Sequence, residues 1–278
     1  MNRYVGWALA SVVSLGIGGL GAASAADMAV KAPVYKAPPL AVYGWTGWYV
    51  GVNGGYAWDN STGNLNAFST TPAVNNFGPA VAAGGTPSFL GAKHEGGFGG
   101  AQVGYNWLTN NSWLLGAEAD IQGASIGQTS TIVFPGGGGI VPSVSTGRDH
   151  LDWFGTVRGR LGFVTNSVLF YGTGGFAYGG VRTSVTNLFT PATSGTFTGS
   201  SSDTRVGWAA GAGVEWGFAP NWSVKGEYLH VDLGSSNTTI FDPVNFPGAF
   251  ATYRFHHELD TVRVGVNYHF PGPVVAKY

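Results

Sequence analysis

No cysteine occurs anywhere in the 278 residues. That excludes a disulfide framework, a thiolate metal site and a cysteine nucleophile. Charge is scarce as well, at 10% of residues, less than half the ~25% of an ordinary soluble domain. The 13 Lys and Arg face 14 Asp and Glu, so there is no basic excess of the kind nucleic-acid binding requires. Beyond Ala26 no uncharged apolar run approaches the ~20 residues of a membrane-spanning helix. What the chain has instead is 14% aromatic residues, 47 glycines and 14 prolines. A disordered tail would show high charge and few aromatics, the reverse of this pattern. The composition suggests a glycine-rich, aromatic β protein, and the question becomes which solvent its faces meet.

The first residues read as an address. Tyr4 to Ala26 carry no charge, follow Arg3, and end in small residues, with Ala23-Ser24-Ala25 in the A-x-A form of a signal-peptidase site. A signal peptide over residues 1–25 is therefore expected, an uncleaved anchor being the other reading. Residues 26–46 hold Pro33, Pro38 and Pro39 with Lys31 and Lys36, the composition of an extended spacer.

From Trp48 onward apolarity alternates with period two, the mark of strands with one apolar face. Eight segments carry it. In the cleanest, Val206, Trp208, Ala210, Ala212, Val214 and Trp216 alternate with Arg205, Gly207, Gly211, Gly213 and Glu215. Ten charges fall within the segments, all on the parity opposite the apolar one: Glu118, Asp120, Asp152, Glu215 and Glu227 against Arg158, Arg160, Arg205, Lys225 and Arg263. On a lipid-facing surface each Arg or Lys would cost ~2–4 kcal/mol near the bilayer midplane. Inside a closed lumen they can pair and hydrogen-bond to one another. The solvated face of a soluble sandwich is the competing explanation. Connection lengths separate the two. The links 59–96, 124–150, 180–203 and 233–258 are long, whereas 108–112, 165–167 and 218–221 are short, the alternation of a transmembrane barrel. Trp48, Trp58, Trp107, Trp113, Trp153, Trp208, Trp216 and Trp222 sit at or near segment ends, where amphipathic rings form interfacial girdles. The expected fold is all-β, an eight-stranded antiparallel transmembrane barrel over residues 47–270. It has short periplasmic turns, long extracellular loops and a tail at 271–278. Eight strands leave an interior just wide enough for side chains to fill, so no wide pore is expected.

The run from Gly44 to Tyr56, GWTGWYVGVNGGY, resembles the opening strand of the small outer-membrane proteins of alphaproteobacteria, the outer-membrane immunogenic or porin family of β-barrels. So do Gly104-Tyr105-Asn106-Trp107, the run from Tyr171 to Gly179, the run from Asn221 to Tyr228, and the closing run from Thr261 to Phe270. The resemblance covers nearly the whole mature chain. It implies an eight-stranded barrel similar to the membrane part of OmpA and a structural, surface-exposed role in the envelope of the bacterial outer membrane. It also implies that the last strand, with Tyr268 and Phe270, is the signal read by the barrel-assembly machinery, although the tail 271–278 departs from a terminal Phe. Outer-membrane lipids and lipopolysaccharide are the other implied partners.

Signs of chemistry are few. The sequence contains no H-E-x-x-H, G-x-S-x-G or Walker motif. Gly136 to Gly139 lack the Lys-Ser/Thr of a phosphate cradle, and Asn60-Ser61-Thr62 and Asn237-Thr238-Thr239 match glycosylation acceptors. Glu118 and Asp120 could form an acid pair, but serve more simply as partners for Arg158, Arg160 and Arg263. His94, His150, His256 and His257 map to the outer side and read as solvated loop residues, with haem or metal binding as the sharper possibility. No enzyme and no cofactor are expected. The expected function is a structural barrel whose lumen is plugged by ion pairs, the alternatives being a narrow channel for ions or small solutes and ligand binding by the loops.

Overall fold

The structure is a computed structural model that describes residues 43–59, 62–70, 77–91, 94–109, 112–191 and 194–270. The expected signal peptide, most of the spacer and the tail 271–278 lie outside these residues. The described residues form ten strands and one short helix: β1 (Gly47–Asp59), β2 (Thr62–Phe68), α1 (Gly78–Ala83), β3 (Phe89–Gly91), β4 (His94–Leu108), β5 (Trp113–Phe134), β6 (Ser143–Thr165), β7 (Val168–Phe189), β8 (Thr196–Ala219), β9 (Trp222–Asp242) and β10 (Phe246–His269).

The alternation of side chains decides which face turns inward. On β8, Val206, Trp208, Val214 and Trp216 are exposed while Ala209 and Glu215 are buried, as period two requires. β1 pairs antiparallel with β4, and β4 through β10 pair in chain order. β10 then returns to β1 from Tyr49↔His269 to Trp58↔Asp260. The sheet closes into a ring of eight strands and has no free edge within it. Two tight connections use left-handed residues, Ser112 at φ 66° and Asn166 at φ 53°. The curl needs close approach inside: a Cβ on Gly104 would meet the Tyr49 ring at 2.3 Å.

Strands β5 to β10 run 21 to 24 residues, about twice the ~9–11 that span a bilayer. Most of the long links after β5, β7 and β9 are thus strand, where solvated loop was expected. The inward parity of these extensions carries large apolar residues, with Val185, Phe189, Phe197, Ile240, Ala251 and Tyr253 all buried, interspersed with buried polar ones such as Thr183, Asn187 and Thr238. β1 and β4 stop short at Asp59 and His94. The gap they leave is filled from the first long link: β2 pairs with β10 through Phe68↔Ala251 and Gly63↔Phe255, and β3 pairs with β2. Phe77 and α1 pack inside this upper wall, the ring of Phe77 lying 4.6 Å from that of Phe197. Burial pushes the Tyr253 phenol above its ordinary value, and its hydroxyl donates to the Pro87 carbonyl at 3.0 Å.

One irregularity overturns part of the face assignment. Between Leu151 and Trp153 the β6–β7 register slips by one residue, a bulge that places two consecutive residues on one side. Leu151 is buried in the interior, not on the apolar outer face as its parity suggested. Asp152 leaves the interior side and pairs at 3.0 Å with the exposed Arg182 of β7. A slip of one residue exchanges the two faces, and nothing in the local sequence marks this one.

Candidate functional site and the filled interior

The inward parity of five strands converges on one cluster. β5 supplies Glu118 and Asp120, β6 Arg158 and Arg160, β8 Glu215, β9 Lys225 and Glu227, and β10 Arg263. All eight are at most 4% exposed. The register sets Glu118 opposite Arg158, Lys225 opposite Glu215 and Arg263 opposite Glu227, so three cross-strand pairs are built in before any side chain crosses the lumen.

The Glu118 carboxylate accepts from Arg158 at 2.6 Å, from the Lys225 ammonium at 2.8 and 2.9 Å and from the Tyr49 hydroxyl at 2.7 Å. Arg158 also donates to Glu227 at 2.8 Å and to Asp120 at 3.0 Å. Arg263 donates to Asp120 at 3.0 Å and, with its other nitrogens, to Glu227. Arg160 bonds Glu215 at 2.7 Å, and its guanidinium stands 4.0 Å from the centre of the Tyr171 ring. Glu215 further accepts from Ser223 at 2.5 Å and Asn267 at 2.8 Å. Four acids meet four bases. Burying so many charges is tolerable only because the cluster is neutral and its members bond one another; deleting one leaves its partners uncompensated in a buried interior.

Two residues expected in this cluster lie outside it. Asp152 is carried to the outer face by the bulge. Arg205 keeps the inward parity but lies far up β8, where it donates to the Ser235 carbonyl at 3.0 Å and to Asp203 at 3.3 Å, partly exposed. Strand β8 continues well beyond the cluster, so sharing a parity with Glu215 does not place Arg205 at the same height.

Apolar layers close the lumen above and below the charges. At the short-turn end Tyr43 and Trp45, within the stretch read as spacer, are buried with Leu114, Val164 and Leu169, and their rings stand 4.6 Å apart. On the other side Phe98, Ile126, Leu151, Phe154, Leu229, Val231, Leu233 and Leu259 form a second apolar layer. Leu151 is brought inside by the bulge, whereas Ile126, Phe154, Leu229, Val231, Leu233 and Leu259 share the parity of the charges on their strands, so a reading that took each strand's inner face as polar missed them. The signal was present in Leu229-x-Val231-x-Leu233, which continues the parity of Lys225 and Glu227. Higher still, the Ser236 hydroxyl lies 2.9 Å from His257 Nε2, His257 Nδ1 lies 3.2 Å from Asp149, and Thr183 donates to Asp149 at 2.8 Å. This chain of polar groups runs from β9 and β10 to β6 and β7 across the ring. Its Ser-His-Asp order is that of a hydrolytic triad, but all three residues are buried. The adjoining cavity of about 20 Å³ has room for about one water, not for a substrate. The upper apolar core, described above, covers it.

Outside, the tryptophans form two rows. Trp48, Trp107, Trp113, Trp216 and Trp222 lie near the short-turn end, and Trp58, Trp153 and Trp208 lie higher up the wall. Trp48 and Trp58 are ten residues apart on β1; at ~3.4 Å per residue and a tilt of ~40° this is a height of about 25 Å, that of the apolar band of an outer-membrane barrel. Between the rows the outward side chains are apolar or small, including Val50, Val103, Leu115, Leu161, Val214 and Val264. Tyr268 stacks edge-on against Trp222 and Phe270, with ring centres 5.1 and 5.2 Å away.

A closed eight-strand ring, apolar outside and charged within, fits the outer membrane, and the sequence agrees. The family model for the outer membrane protein beta-barrel domain matches residues 19–270. The chain belongs to that family. A 31 kDa outer-membrane immunogenic protein of Brucella melitensis biotype 1 is 38% identical over 251 residues, which cover 89% of this chain and 93% of the relative. A 22 kDa outer membrane protein of Rhizobium leguminosarum bv. viciae is 33% identical over 146 residues, 52% of this chain and 57% of that one. Among solved structures, the outer membrane protein OprG of Pseudomonas aeruginosa is similar with a TM-score of 0.43 and 11% identity, over 83% of this chain and 99% of that one. The protein is an outer-membrane β-barrel, as its strand motifs implied.

The histidines of this barrel scatter. His150 and His256 are exposed, His257 is interior, and His230 lies on the outer face 2.9 Å from Asp260. Among the described residues no group of three or more His, Asp or Glu side chains is arranged to hold a metal ion.

Proposed function

We propose that this outer-membrane barrel is a non-conducting structural element of the envelope that presents a folded extracellular wall. Its short turns lie in the periplasm, the usual orientation of such barrels. The observation that carries this is the layered interior: a plug of Tyr43 and Trp45, a neutral cluster of eight charges, an apolar layer, a polar tie through His257, and a second apolar core over it. A hydrated path would have to cross three apolar layers and break a neutral, mutually bonded ion network.

The two tryptophan rows serve as girdles at the two membrane interfaces, and outer-membrane lipids and lipopolysaccharide surround the band between them. Tyr268 and Phe270 close the last strand and are the residues for the barrel-assembly machinery to read. The Ser236-His257-Asp149 chain is enclosed, so this reading gives it no hydrolytic role. The test is electrical. Purified barrel reconstituted in planar bilayers is expected to give no unit conductance steps. Reproducible steps that vanish on denaturation would establish the alternative, a narrow channel.

A further inference from the structure

Above Trp153 the outer face of the barrel changes character. Arg148, His150 and Asp152 of β6 and Arg182 of β7 line a cleft of about 430 Å³. The strand register arranges the face as a grid, with Arg148 opposite Ser184 and Ser184 opposite Ser200, then His150 opposite Arg182 and Arg182 opposite Ser202. Every side chain in these two rows carries a group able to donate a hydrogen bond. Asp152 is the one carboxylate lining the cleft, and it engages Arg182 at 3.0 Å. Among the described residues no carboxylate pairs with Arg148. Cationic groups set together on adjacent strands repel one another, and an anion between them would relieve the repulsion.

Position identifies the anion. Trp153 pairs with Gly180, and the two grid rows begin two residues further along β7. At ~3.4 Å per residue and a tilt of ~40° they stand about 5–10 Å beyond the tryptophan row. Aromatic rows mark the membrane–water interface, so this cleft faces the lipid headgroups. On the outer face of β9 and β10 Asp232, Glu258 and Asp260 stand beside Arg254, His230 and His256, with both histidines against these carboxylates. There carboxylates outnumber arginine, whereas in the cleft two arginines face one carboxylate.

We propose that this cleft binds the phosphate groups of an outer-leaflet lipid headgroup. Arg148 and Arg182 supply the charge, and Ser184, Ser200 and Ser202 donate to the phosphate oxygens. The assignment rests on the membrane orientation given under the proposed function, but not on the lumen being closed.

The test uses the full chain refolded in detergent micelles and titrated calorimetrically with diphosphoryl lipid A and with the same lipid A after dephosphorylation. The phosphorylated lipid is expected to bind saturably and at least about tenfold more tightly, the worth of one charge-assisted hydrogen bond. The double variant R148Q/R182Q is expected to bind both lipids equally weakly. D152N removes the competing carboxylate and is expected to bind the phosphorylated lipid more tightly. R254Q, a control at an exposed arginine elsewhere on β10, is expected to leave binding unchanged. All four positions are on the outside, and a mobility difference between unheated and boiled samples on gels confirms that each variant is a closed barrel. Millimolar inorganic phosphate is expected not to displace the lipid; complete displacement would assign the cleft to free phosphate and overturn the headgroup proposal. Equal binding by wild type and R148Q/R182Q would also overturn it. Neither result depends on conductance, so failure here is distinguishable from failure of the closed-lumen function.

Discussion

Glu118→Ala is expected to destabilise the folded barrel by about 3–5 kcal/mol, the cost of leaving a buried ion cluster without one of its partners. The reason is the number of donors the carboxylate serves. Lys225, Arg158 and the Tyr49 hydroxyl bond it directly, while Arg160 at 3.6 Å and Arg263 at 3.4 Å stand within ion-pair range. Without it four cations face three acids in a buried space. Urea titration in lipid vesicles, read by the gel mobility of unheated samples, measures the loss. Glu118→Ala combined with Lys225→Met restores neutrality and is expected to recover part of it. Asp152→Asn, at the exposed pair with Arg182, is expected to change stability by less than about 1 kcal/mol. A loss below about 1 kcal/mol for Glu118→Ala would mean that the cluster is hydrated.

The second large effect is on the outside. Val264 points outward between the two tryptophan rows and is 58% exposed, and Val133 on the upper part of β5 is 68% exposed. In water the two sites would be equivalent. With hydrocarbon between the rows, Val264→Arg is expected to cost about 2–4 kcal/mol, whereas Val133→Arg, beyond the membrane, is expected to stay within about 0.5 kcal/mol. The same urea titration compares them. Equal small effects at both sites would remove the bilayer from between the rows.

The eight-strand ring was legible because period two persists wherever one face meets lipid: Trp48 to Trp58, Val206 to Trp216 and Val262 to Phe270 alternate without interruption. The cluster was legible for the same reason, since no charge in the membrane-facing stretches falls on the apolar parity. Asp152 was misplaced because a bulge is a backbone event with no residue signature. Arg205 was misplaced because parity fixes the face and not the height along a strand. The upper wall was hidden by composition. Serine, threonine and glycine between Val185, Phe197 and Ile240 look like loop when only length and polarity are weighed, yet large apolar residues recur at their inward positions. The apolar layer of Leu229, Val231 and Leu233 was obscured because the charged neighbours on the same parity led the inner face to be read as polar throughout.

The absence of cysteine provides the most direct test of the closed interior, because any single introduced thiol is the only one in the chain. Thr173 and Thr261 are inward and at most 9% exposed, the first 3.5 Å from Arg158 within the charged cluster and the second bonded to the Leu229 carbonyl at the apolar layer. Thr173→Cys and Thr261→Cys in folded barrels are expected to resist a membrane-impermeant maleimide added to both sides, and to react fully after unfolding in urea. Val133→Cys, exposed on the upper wall, is expected to react at once. Labelling of either inward thiol in the folded barrel as fast as at Val133 would show water throughout the lumen and contradict the sealed interior.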